Sequence, residues 1–215
     1  VKAGITGTSH LNESYIMNKG VSFAAACGAF SLLLTTAALA LSIALPPGAT
    51  VAVPPTTAAT EPDLAGVAIR DALIPFQIHS PSGALLCAGQ LQDRVVRSSR
   101  TGLLDFYYAI RITTKGTGAI ARVVRRSYDS LPLRVAYRTD GLGVVPPTRA
   151  TRSSPGLDVA FAYLKPPVSC ATPQISGPIS RFVLIRTGVK AFKLGGLTQI
   201  VTTSGAQTVL KTAQP

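Results

Sequence analysis

After residue 44 the chain holds a single histidine, His79, and a Ser-His-Asp hydrolase would have to use it. Ser80 and Ser82 lie close by, but no nucleophile-elbow motif surrounds them. Leu73–His79 reads as a strand that Pro75 confines to a sheet edge, so His79 is expected to be a surface strand residue. Carboxylates are few. Glycoside hydrolysis would need a facing pair, and each candidate has a structural role instead. Glu61 and Asp63 fall in a Pro-rich stretch, and Asp140-Gly141 is a turn signal. Asp105 opens a strand and is expected to pair with an arginine. No phosphate-binding loop, zinc signature or dinucleotide fingerprint is present, so no cofactor and no metal is expected. The chain reads as non-enzymatic, with a hydrolase a distant third.

Arginine carries the sharper hypothesis. Arg122, Arg125 and Arg126 crowd one strand, and Arg134 and Arg138 share one face of another. Forked guanidinium groups on a sheet, next to Tyr107 or Tyr128, suit acidic sugars or phosphate head groups. These five are the candidate anion-binding residues. For each, the alternative is a solvated strand face that also blunts edge pairing. Nucleic acid ranks low, because aromatics are sparse, Trp is absent and the chain reads as exported.

Export follows from the apolar run Val21–Leu45, which has no charged residue and follows Met17-Asn18-Lys19. A short positive region, an apolar stretch, then small residues at Ala38-Leu39-Ala40 and Ser42-Ile43-Ala44 make a cleavable signal pattern. The same run is long enough to be an uncleaved membrane anchor. A third reading, acylation of Cys27, is disfavoured because the apolar stretch continues past it. Residues 1–16 read as an upstream extension and 17–44 as signal peptide or anchor. Residues 45–65, rich in Pro, Thr and Ala, read as an extended linker, and 66–215 as the domain.

The whole chain carries a formal charge of +12. Removing residues 1–44 takes away Lys2, Lys19 and Glu13, which leaves +11, and every arginine lies in what remains. Such a balance favours polyanionic partners, although a GC-rich genome also enriches arginine. Cys87 and Cys170 remain as an even pair in an oxidising compartment and are expected to bridge. The chain-entropy account credits a loop of that length with roughly 4 kcal/mol.

From residue 66 the pattern is one of short alternating runs between turns. Phe106, Tyr108, Ile110 and Ile112 share one strand face, and Tyr107, Ala109 and Arg111 the other. A bend is expected at Gly89, a closing hairpin around Ser204-Gly205, and a short helical turn over Val67–Leu73. Seven to nine such strands predict an all-β antiparallel sandwich, of Ig-like or jelly-roll order.

Three segments, Gly102–Ile110, Tyr137–Gly143 and Arg181–Thr187, carry a resemblance to an uncharacterised group of small bacterial exported β-sandwich proteins. It implies a fold and a compartment, and it brings no catalytic residue. The expected role is that of an exported envelope or extracellular protein, structural or adhesive, contacting a surface polymer or another protein. The alternative is an Arg-rich binding module for anionic glycan or lipid head groups. Membrane contact through residues 21–45 is expected if the signal is not cleaved.

Overall fold

The computed structural model describes residues 41–174 and 176–215. The residues read as an export segment, 17–44, therefore lie outside the described residues, apart from the last four. Among the described residues the fold is all-β apart from one 3-10 turn at Pro62–Leu64. In chain order the strands are β1 (Ile43–Ala44), β2 (Thr50–Ala52), β3 (Pro55–Thr56), β4 (Gly66–His79), β5 (Leu85–Ser98), β6 (Leu104–Thr114) and β7 (Ala119–Arg125). They continue as β8 (Arg134–Arg138), β9 (Arg149–Arg152), β10 (Val159–Ala162), β11 (Val168–Ser169), β12 (Val183–Arg186), β13 (Lys193–Thr202) and β14 (Gln207–Gln214).

Two sheets form. Sheet A runs β1-β8-β12-β6-β5-β4, and sheet B runs β14-β13-β7-β10-β9-β2, with β11 beside β7. Pairing is antiparallel except where β3 joins β8 in parallel. The alternation expected for β6 is present: Phe106, Tyr108, Ile110 and Ile112 join the core between the sheets. They pack with Val123, Phe161 and Ile200 from sheet B, and Tyr108 meets Phe161 edge-on at 5.6 Å. Cys87 on β5 is bonded to Cys170, just after β11, and so pins sheet A to sheet B across a sequence separation of 83.

Three local expectations resolve in physical terms. The bend at Gly89 is a register shift between Ala88 and Gly89, where a Cβ would stand 1.9 Å from the Arg111 carbonyl oxygen. Only glycine admits that approach of β5 to β6. Pro75 does lie on an edge strand, since β4 ends sheet A. Val67–Leu73, expected as a helical turn, is instead the first half of β4, because ladder bonds to β5 outweigh a weak local preference.

The largest correction concerns residues 45–65. They are not a free linker. Leu45 is fully buried in the core, β2 extends sheet B, and β3 joins sheet A. β1 pairs with β8, so the domain begins before residue 45. The prolines fit because these strands are two or three residues long and lie at sheet edges. Arg152 fixes the segment's start. It is buried and donates to the carbonyls of Leu45, Gly156 and Tyr128 at 3.2, 3.0 and 2.7 Å.

Candidate functional site

The outer face of sheet A carries a second, smaller apolar cluster and most of the organised charge. One cross-strand row runs Ala136, Leu184, Tyr107, Arg94, Asp71, from β8 through β12, β6 and β5 to β4. Residues two apart share a face, so Tyr107 and Arg111 stand together on β6, and Gln92, Arg94 and Val96 on β5. With Phe182 they floor a groove of about 650 Å³, within the usual range for small-ligand sites.

One wall is Leu64–Gly66 with Ala68, and the other is the Arg138–Leu142 turn with Ser176, Gly177 and Pro178. Leu64 anchors the first wall by packing on Tyr107, Ala136, Phe182 and Leu184. Gly143 holds the second. Its φ is +91°, and a Cβ there would lie 2.0 Å from the Ser180 carbonyl oxygen.

Three guanidinium groups face the groove and differ in how they are partnered. Arg94 lies over the Phe182 ring at 4.7 Å and donates to Asp71 at 2.5 Å. Arg138 makes a forked pair with Asp140, Nε at 2.6 Å and Nη2 at 2.7 Å, and reaches the Tyr107 hydroxyl at 3.4 Å. Arg111 has no ion pair and no side-chain hydrogen bond among the described residues. The Nε atoms of Arg94 and Arg111 are buried without a partner.

The two carboxylates of the groove stay ionised near neutral pH. The hydrogen bonds from Arg138 hold the Asp140 carboxyl below its ordinary value. Burial alone would raise Asp71, but bonds from Arg94 and Gln92 outweigh it and hold Asp71 low. Burial pushes the Tyr107 hydroxyl up to about 12, so it stays neutral. Arg94 pairs with Asp71 and Arg138 with Asp140, and the Arg111 charge also acts on Asp71, so three arginines share two carboxylates and one net positive charge remains.

The five candidate arginines are not one cluster. Arg122 and Arg126 are exposed on the outer face of sheet B, with Arg126 3.9 Å from Asp158. Arg125 is no surface residue: it points between the sheets, 1% exposed, and donates to Asp93 at 2.9 Å and to the Ala213 carbonyl at 2.7 Å. Its position follows from strand parity, because Val123 beside it also faces the core. Arg134 lies on the outer face of sheet A, but it donates to the Ser42 hydroxyl and carbonyl. Of the five, Arg138 alone lines the groove.

Arg94 and Arg111 were not among the five candidates. The signal for Arg111 was present in the alternation that put it on one strand face with Tyr107. Nothing local marked Leu64 as a wall, because that follows from where the Pro-rich segment docks.

Beside the groove, Arg186 gathers three carboxylates. It donates to Glu61 and lies 3.7 Å from Asp63 and 3.5 Å from Asp105. Asp105 thus has the arginine partner expected of it. It is buried, its Oδ2 has no partner, and burial pushes the carboxyl up to about 7. Glu61 also accepts from the Ser42 amide at 3.0 Å and hydroxyl at 2.5 Å, and from Thr56 at 3.1 Å.

His79 is exposed on β4, and the Ser80 and Ser82 hydroxyls bond to each other at 2.8 Å. Among the described residues, no group of three or more His, Cys, Asp or Glu is placed to hold a metal ion. No described helix is long and apolar enough to cross a membrane. No family model, curated protein or solved structure matches this chain.

Proposed function

We propose that this chain is an exported, non-enzymatic envelope or extracellular protein that acts by binding, and that the groove on sheet A is its contact site for an anionic ligand. The observation that carries the reading is Arg111, which makes no ion pair or side-chain hydrogen bond among the described residues, in a groove where three arginines face two carboxylates, Asp71 and Asp140. The Cys87–Cys170 bridge supports an oxidising compartment, as export requires. This replaces the scattered set of five arginines with one face. It also keeps the adhesive role expected from the sequence, since a sheet face that grips a surface polymer is an adhesive face. A purely structural role would leave the groove without a ligand.

The test is titration calorimetry of the full chain with polygalacturonate, heparin, polyphosphate and neutral dextran at low and high salt. Binding to at least one polyanion is expected, weakening as salt rises, with dextran inert. Equal affinity for dextran, or binding that salt does not change, contradicts an electrostatic groove. Release of reducing ends or phosphate during the titration contradicts the non-enzymatic reading.

A further inference from the structure

Resting on the reading of the groove as the binding site, we infer that its ligand is a carboxylate-bearing sugar of an acidic polysaccharide, with Arg111 taking the carboxylate. Charge balance is the first argument. Three groove arginines face two carboxylates, which leaves one net positive charge, and Arg111 is the arginine outside any ion pair among the described residues. A singly charged acid neutralises it. A phosphate dianion would bring a second negative charge close to Asp140 and Asp71, both held ionised.

Geometry is the second argument. A guanidinium is a planar fork that matches a planar carboxylate with two parallel hydrogen bonds. Arg111 lines the groove, and its Nε is buried there without a hydrogen-bond partner, a donor that a carboxylate would satisfy.

The remaining lining is the third argument. Asp140 can accept from sugar hydroxyls, and Gln92 and the neutral Tyr107 hydroxyl offer further polar contacts. Ala68, Val96, Leu142 and Pro178 supply apolar patches for the C–H faces of a pyranose ring. Donors, acceptors and apolar patches side by side suit a polyhydroxylated ring better than an acyl chain.

The experiment measures affinity of the full chain for an oligogalacturonate, its methyl ester, a sulfated dextran and polyphosphate. It uses wild type, Arg111→Gln and, on the opposite sheet, Arg122→Gln. Thermal unfolding confirms that each variant is folded. Should Arg111→Gln not fold, Arg111→Lys replaces it, keeping the charge and losing the fork. The expected result is tightest binding to the oligogalacturonate, with at least a tenfold loss on methylation. Arg111→Gln should lose a similar factor, and Arg122→Gln should change affinity less than twofold.

If sulfate or phosphate polymers bind tightest and Arg111→Gln still abolishes binding, the carboxylate inference is overturned and the groove stands. If Arg111→Gln binds like wild type while Arg122→Gln loses affinity, the groove itself is overturned. If no acidic polymer binds, both are overturned.

Discussion

Asp93 on β5 accepts a hydrogen bond from Arg125 on β7 at 2.9 Å, and the pair lies buried between the two sheets. Asp93 also accepts from Arg70 at 3.0 Å and from the Ala213 amide at 2.9 Å, so three strands besides its own converge on one carboxylate. Buried pairs are costly to form, but removing one partner is costlier, because the survivor is left charged without compensation.

Asp93→Ala is therefore expected to destabilise the fold by roughly 3–5 kcal/mol. Arg125→Ala should cost a similar amount, and the double variant less than the sum of the two. Urea unfolding of the three proteins measures this. Additive losses would show that the residues act separately. Ligand affinity of folded Arg125→Ala should stay at the wild-type level, since Arg125 does not reach the groove.

Asp105 gives a pH signature. Its ordinary value is 3.8, and burial, opposed by Arg186, pushes it up to about 7. The fold thus favours the protonated form. The stability this confers is complete below pH 3.8 and is lost as pH rises through about 7. Asp105→Asn, neutral throughout, should gain on wild type as pH rises from 3.8 to about 7, by about 4 kcal/mol in all, with the gap shrinking steadily on acidification and closing only near pH 4. A gap that widens toward acid pH would contradict this.

Glu61 behaves in the opposite sense. Burial alone would raise its carboxyl, but bonds from Ser42 and the Arg186 charge outweigh it and hold it below 4.5. Its stabilisation is present above pH 4.5 and fades as pH falls below that. Glu61→Ala should free the segment around Ser42 and Leu64 and cost on the order of 3 kcal/mol. Hydrogen exchange should quicken at residues 42–64 before it does in β5 or β6. Unchanged exchange there would mean that Leu64 and Leu45 hold the segment without the carboxylate.

Ser42 also bears on processing. Cleavage after Ala44 would remove β1 and the bonds from Ser42 to Glu61, whereas cleavage after Ala40 keeps them. If the export segment is removed, the mature protein is predicted to begin at Leu41. A non-reducing intact mass of protein from its native host decides between Leu41, Leu45 and an uncleaved chain.

The legible parts of the fold were those with long alternation or a marked turn. β6 carries a period-2 pattern over Phe106–Ile112, and the β13–β14 hairpin is marked by its Ser204-Gly205 turn, so pairing only reinforces them. Residues 45–65 were not legible, because strands of two or three residues have no period and prolines dominate the local signal. Their docking is decided by Leu45, Leu64 and Glu61, whose partners lie far along the chain. Arg125 was grouped with Arg122 and Arg126 for the same reason: Asp93, the partner that makes its burial tolerable, is 32 residues away. The groove was half legible. Arg138 was named and Arg111 was put on the right strand face, yet the walls that make a site of them come from turns and from the Pro-rich segment.

The most direct measurement is a chemical-shift map of the isotope-labelled full chain during titration with oligogalacturonate. Shifts are predicted at Arg94, Arg111, Phe182, the Arg138–Leu142 turn and Leu64–Gly66, which line the groove on the outer face of sheet A. Shifts centred on Arg122 and Arg126 of sheet B, or none at saturating ligand, would contradict the account.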